Sequence, residues 1–294
     1  MKIEINNLSQ VYKNGKKALS DVNLEIENGM FGLLGPNGAG KSSLMRILVT
    51  MLKPSTGTVK VNDYDLIKDR KEIRQMLGYL PQDFRFFTRL KTWEFLNYAA
   101  GLSGIKSKKQ RSAKVDEWLE KVGLFDHRDR DANKLSGGMK RRLGIAQALI
   151  GDPQIIVVDE PTTGLDPEER IRFRNILSDL SQRDVIIILS THIVGDISSV
   201  CNNLALLNNG HVEFTGAPQE LIEKTRGHVW QVTTSGSEYD MLKSKHAVIS
   251  TIPTEEGWEV QLVGDQIEAK QAIEIEPNLE HAYVYYMEHL TNHR

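Results

Sequence analysis

The stretch Gly35-Pro36-Asn37-Gly38-Ala39-Gly40-Lys41-Ser42 decides how this chain is read. Gly35, Gly40, Lys41 and Ser42 match the phosphate-binding loop pattern, and the context is the required one. An apolar run, Phe31 to Leu34, precedes the loop as a buried strand, and Leu44, Ile47 and Leu48 follow it at helical spacing. Glycines let backbone N–H groups turn inward around phosphate oxygens, and the start of a helix adds a favourable dipole. In such a loop Lys41 pairs with the β and γ phosphates of a nucleotide and Ser42 ligates Mg²⁺.

A second element completes that chemistry. Ile155-Ile156-Val157-Val158-Asp159-Glu160 is an apolar run ending in two acids, and it lacks the polar alternation of a strand with one wet face. Ligands of open α/β sheets bind at the carboxyl ends of strands, where these acids fall. Asp159 is placed to orient Mg²⁺ and Glu160 to orient or deprotonate an attacking water, since phosphoryl transfer needs positioning and charge neutralisation above all. Val185 to Ser190 has the same apolar texture.

Strands alternating with helices argue for a mostly parallel α/β sheet. Ahead of the loop, KIEIN and ALSDVNLEIE read as two strands about a turn at Lys13-Asn14-Gly15-Lys16, an antiparallel β subdomain with an exposed-looking Tyr12 between them. From about Thr88 to His127 the pattern is helical, with Trp93, Phe95, Leu96, Trp118, Leu119 and Val122 as core contacts, which sets a helical subdomain at about 86–135. Ser136 begins another helix. After Thr225 the texture changes to HVWQVTT, AVISTIP and WEVQLVG with a last helix opened by Pro277-Asn278. The domain expectation is therefore 1–222 for the main domain and 223–294 for a small α+β appendage.

Composition narrows the partners. The 294 residues carry 37 Lys and Arg against 39 Asp and Glu, a net charge of −2 without the basic excess of a nucleic-acid binder. The basic clusters Lys106, Lys108, Lys109, Arg111, Lys114 and Lys140, Arg141, Arg142 read as solvated helix faces, and no nucleic acid is expected. The single cysteine, Cys201, fits a reducing compartment and packs as a small hydrophobe. MKIEINNLSQ is not a secretory leader, and no apolar run approaches the roughly 18 residues of a membrane helix. A cytoplasmic chain is expected.

Leu135-Ser136-Gly137-Gly138-Met139 resembles the signature sequence of the ATP-binding-cassette (ABC) ATPases, and further elements follow in that family's order. Tyr12 resembles the aromatic that stacks on adenine. Gln82, in Tyr79-Leu80-Pro81-Gln82, resembles the glutamine that senses Mg²⁺ and faces a membrane partner. Gly164-Leu165-Asp166 resembles the loop that communicates across a dimer, although Asp166 before Pro167 also suits a helix cap. His192, in Ser190-Thr191-His192, resembles the γ-phosphate switch histidine. Ser43 stands where many members have threonine, a change that leaves Ser42 intact. The likeness covers residues 1 to about 220.

What the resemblance implies is a phosphate-loop cassette that binds ATP and Mg²⁺. The catalytic set would be Lys41, Gln82, Glu160 and His192. Tyr12, residues Gly35 to Ser43, Ser136, Gly137, Gly138 and Asp166 would hold nucleotide, and Ser42, Gln82 and Asp159 would hold the metal. With one phosphate loop and one signature, two copies or related chains would pair head to tail. A separate transmembrane permease would be driven from the cytoplasmic face of the membrane. The C-terminal appendage and the wording of Leu77 to Gly104 resemble the exporter branch that handles antibiotics, peptides or lipid-like compounds. A ribosome- or DNA-acting cassette would carry two cassettes or a long coiled coil, and neither is seen. A regulatory module without catalysis conflicts with Lys41 and Glu160 together.

Overall fold

Two long strands, β1 (Lys2–Val11) and β2 (Lys17–Glu27), open the chain and pair antiparallel about a turn in which Tyr12 N–H donates to Lys16 O. The computed structural model describes residues 1–82, 84, 89–162, 165–255, 257–269 and 271–292, with side chains to 288. β1 extends well past KIEIN, because register shifts around Leu8 and Gln10, with Asn7 at φ 48°, keep Leu8 buried against Leu19 and Val22. Next come β3 (Gly29–Leu34), α1 (Lys41–Leu48), β4 (Thr56–Val61) and β5 (Tyr64–Asp65). β4 and β5 complete a four-stranded antiparallel sheet in the order β2-β1-β4-β5.

The central sheet takes β3 and then β6 (Leu77–Leu80), β7 (Ile155–Asp159), β8 (Ile186–Thr191), β9 (Asn203–Asn208) and β10 (His211–Gly216), in the order β10-β9-β3-β8-β7-β6. β9 through β6 run parallel. Every residue of β7 and β8 is buried, which is why neither alternates polar with apolar. On one face Leu33, Val157 and Ile188 pack with Leu44 and Ile47 of α1 in a core that also takes Ile3, Ile5 and Leu19 of the small sheet. Full burial of each such side chain contributes roughly 1.5–3 kcal/mol. That packing fixes the strand and helix on either side of the glycine-rich loop.

Between β5 and β6 lies α2 (Arg70–Met76), and between β6 and β7 lie α3 (Thr92–Leu102), α4 (Lys108–Lys121) and α5 (Gly137–Leu149). Leu96, Trp118, Leu119 and Val122 are buried there, whereas Trp93 and Phe95 are half-buried. The expected start of this helical region at Phe86 or Thr88 lies outside the described residues. α6 (Pro167–Ser181) and α7 (Val194–Ser198) flank β8 in sequence.

The chain divides into two units, Met1–Thr215 and Gly216–Arg294. The second holds α8 (Pro218–Glu223), β11 (Val229–Thr234), α9 (Ser237–Lys245), β12 (Ala247–Thr254), β13 (Gly257–Val263), β14 (Ala272–Glu274) and α10 (Leu279–Asn292). Its sheet, β12-β13-β11-β14, is antiparallel around a core of Val232, Leu242, Val260 and Leu262. Compared with a boundary at 222/223 read from texture, the structure groups α8 with this unit because α8 packs against α10. Asn278 caps α10 by accepting from His281 N–H at 2.9 Å. β14 leaves no signal in the sequence: three residues are too few to show a period.

Candidate functional site

Residues that lie far apart in sequence reach one end of the central sheet through four adjacent strands, β3, β8, β7 and β6. The glycine loop leaves β3, His192 follows β8, Asp159 and Glu160 end β7, and Gln82 follows β6. Parallel pairing puts all these carboxyl ends on the same side. A cleft of about 260 Å³ lies there, lined by Tyr12, the loop from Asn37 to Ser43, Gln82 and Glu160.

The loop needs its glycines for two reasons. Gly40, directly before α1, sits at φ 110°, and a Cβ on it would come within 2.5 Å of Ala18 O. A Cβ on Gly35 would collide with Leu207 O. The loop is closed by Ala39 N–H donating to Pro36 O at 3.2 Å. Lys41 is buried and its Nζ donates to Gly35 O at 2.6 Å and Pro36 O at 3.2 Å. That burial holds the ammonium pKa below the usual lysine range, while Glu160 and Asp159 pull it back up.

Lys41 Nζ also stands 3.8 Å from Glu160 Oε1, with both side chains less than a tenth exposed. Glu160 Oε2 lies 2.7 Å from His192 Nδ1. Glu160 has φ 47°, an uncommon backbone for a non-glycine residue, and its N–H donates to Ser190 O at 3.1 Å. Ser190 Oγ in turn donates to Asp159 Oδ1. Tyr12 is half-buried, its hydroxyl 3.0 Å from Ser43 Oγ. An amine, a buried carboxyl group and an imidazole thus meet beside the glycine-rich loop. Ser42, Asp159 and Gln82 offer hydroxyl, carboxylate and amide oxygens, the hard donors that suit Mg²⁺ shared with substrate phosphates.

The signature residues are placed elsewhere. Ser136 caps α5, its Oγ accepting from Met139 N–H at 3.2 Å, and neither Ser136, Gly137 nor Gly138 lines the cleft of its own chain. Ser136 and Gly137 are exposed, and a Cβ on Gly137 would meet nothing within 4 Å. Asp166 caps α6 by accepting from Glu169 N–H at 2.9 Å, with Pro167 as the first helical residue. Its neighbour Gly164 lies outside the described residues. A larger concavity, about 940 Å³, is lined by Arg70, Arg74 and Gln147 and includes no residue of the phosphate loop.

One expectation is overturned. Arg141 is not part of a solvated face: it is buried, and its guanidinium donates to the backbone carbonyls of Pro81, Gln82, Asp159, Glu160 and Pro161. Arg142 is largely covered as well, donating to Val122 O and Gly123 O and pairing with Glu169. Three consecutive cations on a helix do not form one face, because successive helical residues point in different directions. Ser190 joins the site as well, although sequence reasoning gives it no role there.

Fold and cleft together define a phosphate-loop α/β nucleotide-binding cassette. The ABC transporter family model matches residues 19–163. The Bacillus subtilis ABC transporter ATP-binding protein YxlF is 34% identical over 85% of this chain and 82% of its own length, and NatA of the same organism is 34% identical over 71% and 86%. Among solved structures, an ATP-binding subunit of an ABC transporter matches with a TM-score of 0.70 and 26% identity over 76% of this chain and 93% of its own. The cassette MJ0796, solved as a dimer in a post-hydrolysis state with ADP and Pi, matches with a TM-score of 0.68 and 27% identity over 73% and 98%. The chain belongs to the ABC transporter family as an ATP-binding subunit, and it is an ATPase.

Proposed function

We propose that this chain powers transport, in the export direction, through a permease formed by a separate polypeptide, and that it works as a head-to-tail pair on the cytoplasmic face of the membrane. The observation that carries the reading is the convergence of Lys41, Glu160 and His192 beside the phosphate loop while Ser136 to Gly138 stay outside that cleft. A second subunit would supply the missing signature, and two sites would form at one interface. Named ABC transporter ATP-binding proteins among the relatives support the permease. No helix among the described residues is long and apolar enough to cross a membrane.

In this reading adenine stacks on Tyr12 and the triphosphate lies along residues 35–43. Lys41 turns from Gly35 O and Pro36 O to the β and γ oxygens. Ser42, Asp159 and Gln82 would hold Mg²⁺, which neutralises phosphate charge when bound. Glu160 orients the attacking water and accepts its proton as the oxygen bonds to the γ phosphorus and the bond to ADP breaks. His192 holds the Glu160 carboxylate. Ser136 and the N–H groups of Gly137 and Gly138, at a helix start, suit a γ phosphate held by the partner. Contacts made only in the closed pair let ATP drive closure and hydrolysis release it.

The test has two parts. Glu160→Gln should retain ATP binding, suppress turnover and accumulate a closed dimer. Undiminished hydrolysis would remove Glu160 from its role. The tagged wild-type chain should recover a multi-helix membrane protein from solubilised native membranes, and recovery of none would defeat the permease reading.

A further inference from the structure

We propose that Arg141 is a positioning residue that locks the backbone of Asp159-Glu160-Pro161 and of Pro81-Gln82 to the signature helix, so that the acids, the glutamine loop and the signature shift as one piece. The inference rests on the proposed two-subunit reading for what the signature touches. Its geometry is a property of one chain.

All the donor positions are used. Nε donates to Pro161 O at 3.1 Å, Nη1 to Pro81 O at 2.7 Å and Gln82 O at 3.0 Å, and Nη2 to Asp159 O and Glu160 O, both at 3.0 Å. A guanidinium has five N–H groups in a fixed plane, and here five carbonyls from two strand ends are arranged around it. A lysine carries three donors on one nitrogen and cannot span the same set. Burial pushes the Arg141 pKa down to about 10, so the fold keeps a charge here against a desolvation cost. A packing role would be met more cheaply by an apolar side chain.

The two carbonyl groups belong to the working parts of the site. Glu160 is held at φ 47° with its N–H on Ser190 O and its C=O on Arg141, so both sides of a strained residue are pinned. The Gln82 carbonyl is tied to the same guanidinium. Arg141 lies in α5 five residues after Ser136, about 7.5 Å along a helix. A pull on the exposed end of α5 by a phosphate on the partner therefore reaches the acids of this chain through a short rigid lever. Each site would sense closure at the other.

The full-length chain tests this with Arg141→Lys and Arg141→Gln. Arg142→Lys is the control, because it alters the neighbouring helix position while its partners are Val122 O, Gly123 O and Glu169, none of them bonded to Arg141. Calorimetry of ATP binding with and without Mg²⁺ is read beside kcat, KM and the Hill coefficient. We expect Arg141→Lys to keep Mg²⁺-free ATP affinity within about twofold of wild type, to lose most of the affinity gained on adding Mg²⁺, and to lower kcat on the order of 10²-fold with a Hill coefficient falling to about one. A Mg²⁺ gain, kcat and Hill coefficient that match Arg142→Lys would overturn the proposal. So would a loss of Mg²⁺-free affinity as large as the loss in kcat, which would mark a general structural staple. Failure of the transporter reading shows separately, in wild-type turnover and in Glu160→Gln, and the Mg²⁺ titration of binding needs no turnover.

Discussion

His192 Nδ1 lies 2.7 Å from Glu160 Oε2, a contact between the ends of two adjacent parallel strands. The contact joins one ring nitrogen to one carboxyl oxygen and so fixes the orientation of the imidazole against the acid. Glu160 is almost fully buried while the His192 side chain is 42% exposed, so the imidazole connects a dry acid to the open side of the cleft. His192→Ala should lower turnover by about 10²–10³-fold, within the range set by loss of an acid–base or orienting group, and should leave ATP affinity little changed. Steady-state hydrolysis paired with equilibrium nucleotide binding checks this. An equal loss in both would mean that His192 serves ground-state binding.

The glycines of the phosphate loop separate conformational strain from steric clash. Gly38 has φ 87°, and a methyl group placed on its Cα would meet nothing within 4 Å, so Gly38→Ala should cost only about 1–2 kcal/mol. Gly40→Ala adds a collision with Ala18 O and should cost roughly a further 1–3 kcal/mol. Urea unfolding of the two variants measures the difference. Equal losses would show that the Ala18 carbonyl yields.

Cys201 is buried, and burial pushes its thiol pKa up to about 12. In the unfolded chain the thiol ionises at lower pH, so its contribution to stability is complete below about pH 9 and is lost between about pH 9 and 12. Cys201→Ala should flatten that alkaline loss. A thiol reagent at about pH 8 should label only the unfolded fraction. Rapid labelling of native protein would contradict the burial.

Asp166 can be tested for its two readings at once. Asp166→Ala removes the side chain that accepts from Glu169 N–H and should cost about 0.5–2 kcal/mol. Asp166→Asn keeps a capping oxygen and should unfold near the wild-type temperature. If Asp166 also communicates across a dimer, Asp166→Asn will lower turnover without that loss of stability; unchanged turnover leaves it a cap alone.

The phosphate loop and the two apolar strands were legible because their signals are residue types: glycines where no Cβ fits, and unbroken apolar runs where both faces are covered. Arg141 was not legible, because its partners are main-chain carbonyls at the ends of β6 and β7. An acceptor of that kind leaves no mark in the identity of the residue that bears it. Ser190 was hidden for a related reason, since its hydroxyl matters only once β8 lies beside β7. The extension of β1 past Asn6 depended on register shifts that alternation does not encode.

The strand order has a consequence for biosynthesis. β8 is the last of the four site-bearing strands to leave the ribosome, yet it sits between β3 and β7 and forms the ladder to each. A nascent chain that has displayed its glycine loop and both acids still lacks the strip that joins them. The ladder that sets Glu160 beside Lys41, and the contact of Glu160 with His192, therefore cannot form until residues near 192 have emerged, so this end of the sheet closes late in synthesis.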